Sequence, residues 1–366
     1  MTHKIRVLLA DDSVVVRRAL TKALESDPEF EVVATLANGA QALTRLELVT
    51  VDAVVLDIEM PELDGVSTLR RIRAKWPSLP VIMCSTLTER GAAITVEALS
   101  AGATDYVTKP SATSSYAESL ASIRDELVRK IRAVVVTARS SVRPQRTLSA
   151  SPPPTRAAAP PRAGLRPDVL AIGTSTGGPN ALLDLWRGLP RAFPTPVVLV
   201  QHMPPVFTRM LAERLTALGG IPVKEGVEGE ILRPGEARVA PGGLHMELVK
   251  QGADVRVHLH EGPPENSCRP AADVLFRSVA RVYGAGTLGL VLTGMGQDAL
   301  LGSRAIVDAG GSVIVQDEAT SVVWGMPGFV ARAGLAREVL PLKEIAPALL
   351  RAFRLAPTQP QRTQAA

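Results

Sequence analysis

Two sets of residues in this 366-residue chain could do chemistry. In the first, Asp11-Asp12, Asp57, Ser85 and Lys109 each stand at the end of a short apolar run. Three carboxylates gathered at one edge repel one another and call for a cation, and oxygen ligands with room for water suit Mg²⁺. Lys109 adds a positive charge and Ser85 a hydroxyl. Such a group can accept a phosphoryl moiety on a carboxylate, because cation and lysine neutralise its equatorial oxygens. Any one of these aspartates alone reads as a helix cap or turn residue; the joint order is what points to chemistry.

In the second set, Ser175, His202 and Asp298 each follow a predicted strand. A serine hydroxyl is a weak nucleophile until an imidazole takes its proton, and a carboxylate must fix the imidazole's tautomer and stabilise its cation. Ser175 lies in Gly173-Thr174-Ser175-Thr176-Gly177-Gly178, a strand-to-helix turn. Backbone N–H groups there, with Thr176 and Gly177 in the loop, face a developing negative charge, and Gly294-Met295-Gly296 offers a further donor. Among the five histidines, His202 directly follows an apolar, β-branched strand. His245, after Pro241-Gly242-Gly243, is the second choice, and His258 and His260 alternate along a polar strand-like run. The stretch 173–177 satisfies GxSxG, yet the order Ser, His, Asp departs from the Ser, acid, His order of α/β-hydrolases.

These residues need strands to end beside them. Residues 5–10 form a buried strand pattern and 13–25 a helical one, followed by strand patterns at 31–35, 53–56, 81–84 and 106–107. Helical patterns at 39–48, 65–75, 90–100 and 115–136 lie between them, so an α/β fold with a parallel sheet is expected, flavodoxin-like and (βα)₅ in plan. The second half again alternates: strands at 168–172, 197–200, 288–292 and 312–315, helices at 180–188 and 299–309. This predicts a second doubly wound, mostly parallel α/β domain. The expected boundaries are 1–137, a linker at 138–167, a catalytic domain at 168–355 and a polar, disordered tail at 356–366.

Composition narrows the classes. Hydrophobic residues make up 46% and charged residues 21%, ordinary for globular domains. No apolar run reaches the roughly 18 residues that span a bilayer, and no secretory signal is read, so a cytoplasmic, monomeric protein without membrane insertion is expected. Cys84 and Cys268 fit no metal spacing and are read as reduced structural thiols. The net charge is +5, but residues 138–167 hold six arginines, no acid and seven prolines, and the rest of the chain stands at −1. Such a segment stays extended. Aromatics are only 3% and do not cluster near the arginines, so the stacking platform of a single-strand binder is missing.

The first set resembles the receiver domains of two-component response regulators. Asp11-Asp12, the stretch from Asp57 to Gly65, Ser85 and Lys109-Pro110 stand where that family has its acidic pair, phosphoacceptor loop, switch hydroxyl and lysine, over about residues 4–125. The resemblance implies that Asp57 accepts a phosphoryl group from a histidine kinase. It implies Mg²⁺ held by Asp12, Asp57 and the backbone carbonyl of Glu59, with Asp11 next to it or acting through water. It also implies a cis peptide before Pro110, which sequence alone would leave trans.

The second half is similar to the catalytic domain of the chemotaxis protein-glutamate methylesterases, the CheB family. The carrying stretches are 173–179, Gln201-His202-Met203-Pro204, 240–246, 269–276, 293–298 and Gly325-Met326-Pro327. The resemblance implies Ser175, His202 and Asp298 as the triad and Met295 in the oxyanion loop, with no cofactor for hydrolysis. The implied reaction removes methyl groups from glutamate esters, and amide nitrogen from glutamines, on the cytoplasmic helices of chemoreceptors. It further implies inhibition by the unphosphorylated receiver. Two departures stand out: Ala299 where glycine commonly follows the acid, and Cys268 where histidine is frequent before Arg269.

Two other readings compete. An effector half that only binds a partner would keep its activity in Ser175→Ala. A DNA-binding effector would show a helix-turn-helix or basic recognition helix and a steep salt dependence, and no such element is read here.

Overall fold

The structure is a computed structural model that describes residues 4–109, 116–142 and 166–356. The peptide before Pro110, residues 143–165 of the expected linker and the tail after Ala356 lie outside the described residues; residues 138–142, expected as extended linker, instead continue the helix that starts at Tyr116. The chain divides into two compact units, Met1–Ser149 and Ala150–Ala366.

The first unit alternates β1 (Ile5–Ala10), α1 (Val14–Glu25), β2 (Phe30–Leu36), α2 (Gly39–Leu46), β3 (Ala53–Asp57), α3 (Gly65–Lys75), β4 (Val81–Ser85), α4 (Glu89–Ser100), β5 (Asp105–Thr108) and α5 (Tyr116–Val142). Side chains start the helices. Ser13, Asn38, Asp64 and Thr88 each accept a hydrogen bond from a backbone N–H in the first turn. The five strands are parallel in the order β2-β1-β3-β4-β5. Strands β3 and β4 are buried along their whole length, as a sheet covered on both faces requires. Strand order reverses between β1 and β3, and the carboxyl ends there carry Asp11-Asp12 and Asp57.

The second unit runs β6 (Val169–Thr174), α6 (Gly178–Arg187), β7 (Val197–Gln201), α7 (Phe207–Ala217), β8 (Val223–Glu225), β9 (Ala237–Val239), β10 (His245–Gln251), β11 (Asp254–His260), α8 (Ala272–Tyr283), β12 (Thr287–Val291), α9 (Leu300–Asp308), β13 (Ser312–Gln316), α10 (Met326–Arg332), β14 (Glu338–Leu340) and α11 (Leu342–Ala352). Seven parallel strands stand in the order β14-β13-β12-β6-β7-β9-β8, with β10 and β11 as a separate antiparallel hairpin. Strand β6 lies between β12 and β7, in register Ile172↔Leu290 and Ile172↔Leu199. Its residues are all buried. Three neighbouring strands therefore end side by side, and Ser175, His202 and Asp298 belong to the loops that follow them. Helix α8 is buried almost all round, with Leu275, Phe276 and Val279 among the core residues that join β6 and β12. Trp186 of α6 is wholly buried, and its Nε1–H donates to Ile221 O at 2.9 Å.

Candidate functional site

In the first unit, Lys109 Nζ lies 2.8 Å from Asp11 Oδ2 and 2.8 Å from Asp57 Oδ1. Burial pulls the lysine down, but hydrogen bonds and charge from the two aspartates outweigh it and hold the ammonium above its ordinary value. Burial raises the Asp57 carboxyl to about 6, against the lowering effect of Lys109. Asp11, Asp12 and Asp57 each offer an oxygen within 4.8 Å of the others. Asp57 Oδ2 is buried and has no hydrogen-bond partner among the described residues, a costly state for a carboxylate oxygen unless a cation or donor completes it. The donor set and this orphaned oxygen fit a hard divalent ion. A cleft of about 140 Å³ opens over the group, lined in part by Glu59, Ser85 and Thr86. Ser85 is buried; its Oγ donates to Gly91 O at 3.2 Å and accepts from Thr95 Oγ1 at 2.7 Å. The hydroxyl is thus engaged by α4.

In the second unit, His202 Nε2 meets Asp298 Oδ2 at 2.7 Å. Asp298 is buried and sits on the N-terminus of α8: Oδ2 also accepts Ala272 N–H at 2.6 Å, and Oδ1 accepts Asp273 N–H at 2.9 Å, Ala299 N–H at 3.0 Å and Asn266 Nδ2 at 3.2 Å. A helix N-terminus favours negative charge. Burial opposes ionisation of Asp298, but His202 and these donors prevail and hold its pKa below the ordinary carboxylate value. For His202, burial favours the neutral ring, yet the bond to Asp298 and a contact with Cys268 outweigh it and raise the imidazole above its ordinary value. Behind this pair, Asp273 is raised to about 6, chiefly by burial.

Ser175 reaches this edge in a tightly tied loop. Its N–H donates to Thr293 O at 3.0 Å, and Gln201 Nε2 donates to Ser175 O at 3.0 Å and His202 O at 3.3 Å. Thr293 Oγ1 donates to Thr176 O at 2.9 Å and accepts Val323 N–H at 3.0 Å, joining three loops. Gly177 has φ +75°, and a Cβ there would lie 2.6 Å from Val322. A Cβ on Gly294 would come 2.9 Å from Ser175 Cβ. Both positions need glycine for the loops to meet. The N–H groups of Thr176, Gly177, Met295 and Gly296 donate to no acceptor among the described residues.

Ser175 Oγ makes no hydrogen bond to His202 here, since Nε2 is held by Asp298 and Nδ1 lies 3.4 Å from Cys268 Sγ. The contact also takes Cys268 beyond a plain structural thiol; Cys84 is buried and matches that description. His245, the second choice, is buried and bonds Pro263 O and Ala271 N–H rather than Asp298. Ala299, the other departure, stands at φ +74°, a conformation that glycine adopts at lower cost. Sequence reading missed Asn266, Asp273, Gln201 and Thr293. Asp273 lies in the quoted stretch 269–276, but nothing in the spacing shows that its backbone would seat the acid.

A doubly wound sheet with a serine, and a histidine–aspartate pair, at its carboxyl edge defines a serine hydrolase-like α/β domain; the acidic, lysine-bearing edge of the other unit defines a receiver. Comparison with known proteins gives both halves a family. The family model for the CheB methylesterase matches residues 170–349 and that for the response regulator receiver domain matches residues 7–121. A protein-glutamate methylesterase/protein-glutamine glutaminase of Trichodesmium erythraeum is 47% identical over 352 residues, 95% of this chain and 99% of that one. One from Nocardioides sp. is 48% identical over 363 residues, 97% of each. The crystal structure of the Thermotoga maritima CheB methylesterase catalytic domain aligns with a TM-score of 0.50 at 40% identity, covering 51% of this chain and 99% of that one. The chain belongs to the protein-glutamate methylesterase/protein-glutamine glutaminase family. Among the described residues no helix is long and apolar enough to cross a membrane.

Proposed function

We propose that this chain is a phosphorylation-activated serine hydrolase that demethylates glutamate methyl esters, releasing methanol, and deamidates glutamines on the cytoplasmic helices of chemoreceptors. The observation that carries the reading is the buried His202–Asp298 pair beside Ser175 at the ends of three adjacent strands. In the proposed reaction the Ser175 hydroxyl passes its proton to His202 Nδ1, the nitrogen opposite the one that Asp298 holds, as Oγ attacks the ester carbonyl. The ring must first exchange its Nδ1 contact with Cys268 for one with Ser175, in keeping with catalytic hydrogen bonds that tighten only with substrate. Asp298 keeps Nε2 protonated and stabilises the imidazolium. The free N–H groups of Thr176, Gly177, Met295 and Gly296 are the donors for the tetrahedral oxyanion. His202 then returns the proton to the leaving group, methoxide departing as methanol or a glutamine's amide nitrogen departing as ammonia, and water hydrolyses the acyl-serine.

In the receiver half, Asp57 is the proposed phosphoacceptor for a chemotaxis-type histidine kinase. Asp12, Asp57 and the Glu59 carbonyl would hold Mg²⁺, with Asp11 beside it, and the ion when bound supplies charge neutralisation for the phosphoryl oxygens. Lys109, now paired with Asp11 and Asp57, would meet the same oxygens, and the Ser85 hydroxyl, now bonded to Gly91 O, would turn toward the new group. We further propose a cytoplasmic, monomeric enzyme with a catalytic domain at 168–355; the receiver boundary expected at 137 falls inside α5, which runs to Val142 and carries Arg139 bonded to Asp52 and to the Lys4 carbonyl.

The test is methanol release from methylated receptor membranes by the wild type and Ser175→Ala. Loss of at least about 10³-fold in the variant is expected; undiminished release would overturn the serine mechanism.

A further inference from the structure

The imidazole of His202 has two nitrogens and three claimants. Asp298 Oδ2 holds Nε2 at 2.7 Å, and Cys268 Sγ lies 3.4 Å from Nδ1. Ser175 has to reach the base through the nitrogen that the thiol occupies. A tight turn puts the thiol there. Cys268 N–H donates to Glu265 O at 2.8 Å and Glu265 N–H donates back to Cys268 O at 3.1 Å, with Asn266 and Ser267 between them at φ 51° and 62°. Asn266 ties the turn to the acid itself, donating to Asp298 Oδ1 at 3.2 Å and Asp273 Oδ2 at 3.1 Å. The thiol, its base and the base's carboxylate form one continuous relay, and Cys268 is half-exposed while Cys84 is buried.

Resting on the serine-hydrolase reading above, we propose that Cys268 is a positioning residue that competes with Ser175 for His202 Nδ1, and that sharing this base makes it the thiol of the chain that attacks small carbon electrophiles. Cys268 S–H gives its proton to Nδ1, and the thiolate sulfur attacks the methylene carbon of a haloacetamide. An S–C bond forms, and the halide leaves with the electron pair of the broken bond. The carboxamidomethyl sulfur then fills the space beside Nδ1, so Ser175 loses its base. The titratable groups facing the ring are Asp298 and Cys268, with Asp273 behind Asp298.

The test uses the full chain and iodoacetamide, mapping adducts and assaying methanol release on the same samples. Adduct is expected on Cys268 and not Cys84, with activity lost at the same half-time. His202→Ala should slow Cys268 alkylation at neutral pH by about ten-fold, since only the thiolate reacts. Cys268→Ala should resist iodoacetamide and raise kcat several-fold at unchanged KM, because Nδ1 is released. Alkylation at an unchanged rate in His202→Ala, or full alkylation with activity retained, would overturn the proposal. So would an unchanged or lower kcat in Cys268→Ala with an unaltered circular dichroism spectrum. Alkylation is read without turnover, so it can be followed in Ser175→Ala; methanol release surviving in that variant would instead strike the hydrolase reading.

Discussion

His202 works as a base only in its neutral form, so methanol release should rise with pH as the ring loses its proton. The Asp298 bond raises that pKa above the ordinary histidine value, which places the rising limb above about 6.5. Asp298→Asn removes the charge that stabilises the imidazolium, so the limb should move to lower pH while the rate falls by about 10³- to 10⁴-fold. A pH–rate profile of both proteins checks the sign: a limb that moved to higher pH would contradict the assignment. Ser175 and His202 were legible because each directly follows a strand whose apolar run marks its end, and Asp298 because it closes the short glycine-bearing loop after the next such strand. Asn266 was not. Its bond to Asp298 spans 32 residues and depends on two consecutive left-handed residues that no local pattern announces. Cys268 was visible only as a departure from the resembled family, without the contact that gives it a role.

Among the elements, the strand-to-helix turn at Ser175 is the most constrained. Gly177→Ala would impose a Cβ at φ +75° and within 2.6 Å of Val322. The left-handed backbone alone costs about 1–2 kcal/mol. Urea denaturation should show at least that loss, together with reduced esterase activity; an unchanged midpoint would mean that the loop relaxes freely. Helices whose caps and apolar stripes are local were readable, α1 to α4 among them. Helices α7, α8 and α11 were not. Val206 and Ala271 precede α7 and α8 without a side-chain cap, α8 has almost no polar face, and Pro347 lies inside α11, where a proline ordinarily signals a break. The burial of α8 is also what allows its N-terminus to seat Asp298.

At the scale of the whole molecule, the alternation of strands and helices was enough to place two parallel α/β units, because the period of the apolar residues sets fold class. It could not give strand order: β12 joins β6 across more than a hundred residues, so the meeting of Asp298 with His202 is a product of topology. Coupling between the halves belongs to this scale too. If phosphorylation of Asp57 raises the hydrolase rate by shifting an equilibrium, the states that it couples must be linked by a free energy typically worth 5- to 150-fold in binding. Cleavage within 143–165, which releases a fragment containing 168–366, should then raise basal activity, measured as methanol release per mole of fragment; a lower or equal rate would argue against inhibition by the receiver. The central claim is tested most directly by methanol release from methylated chemoreceptor membranes, with and without a small-molecule phosphodonor and Mg²⁺, in the wild type and in Asp57→Asn. Release should rise about five-fold or more with the donor in the wild type and stay unchanged in the variant. Equal release with and without the donor in the wild type, or none in either condition from folded protein, would contradict the claim.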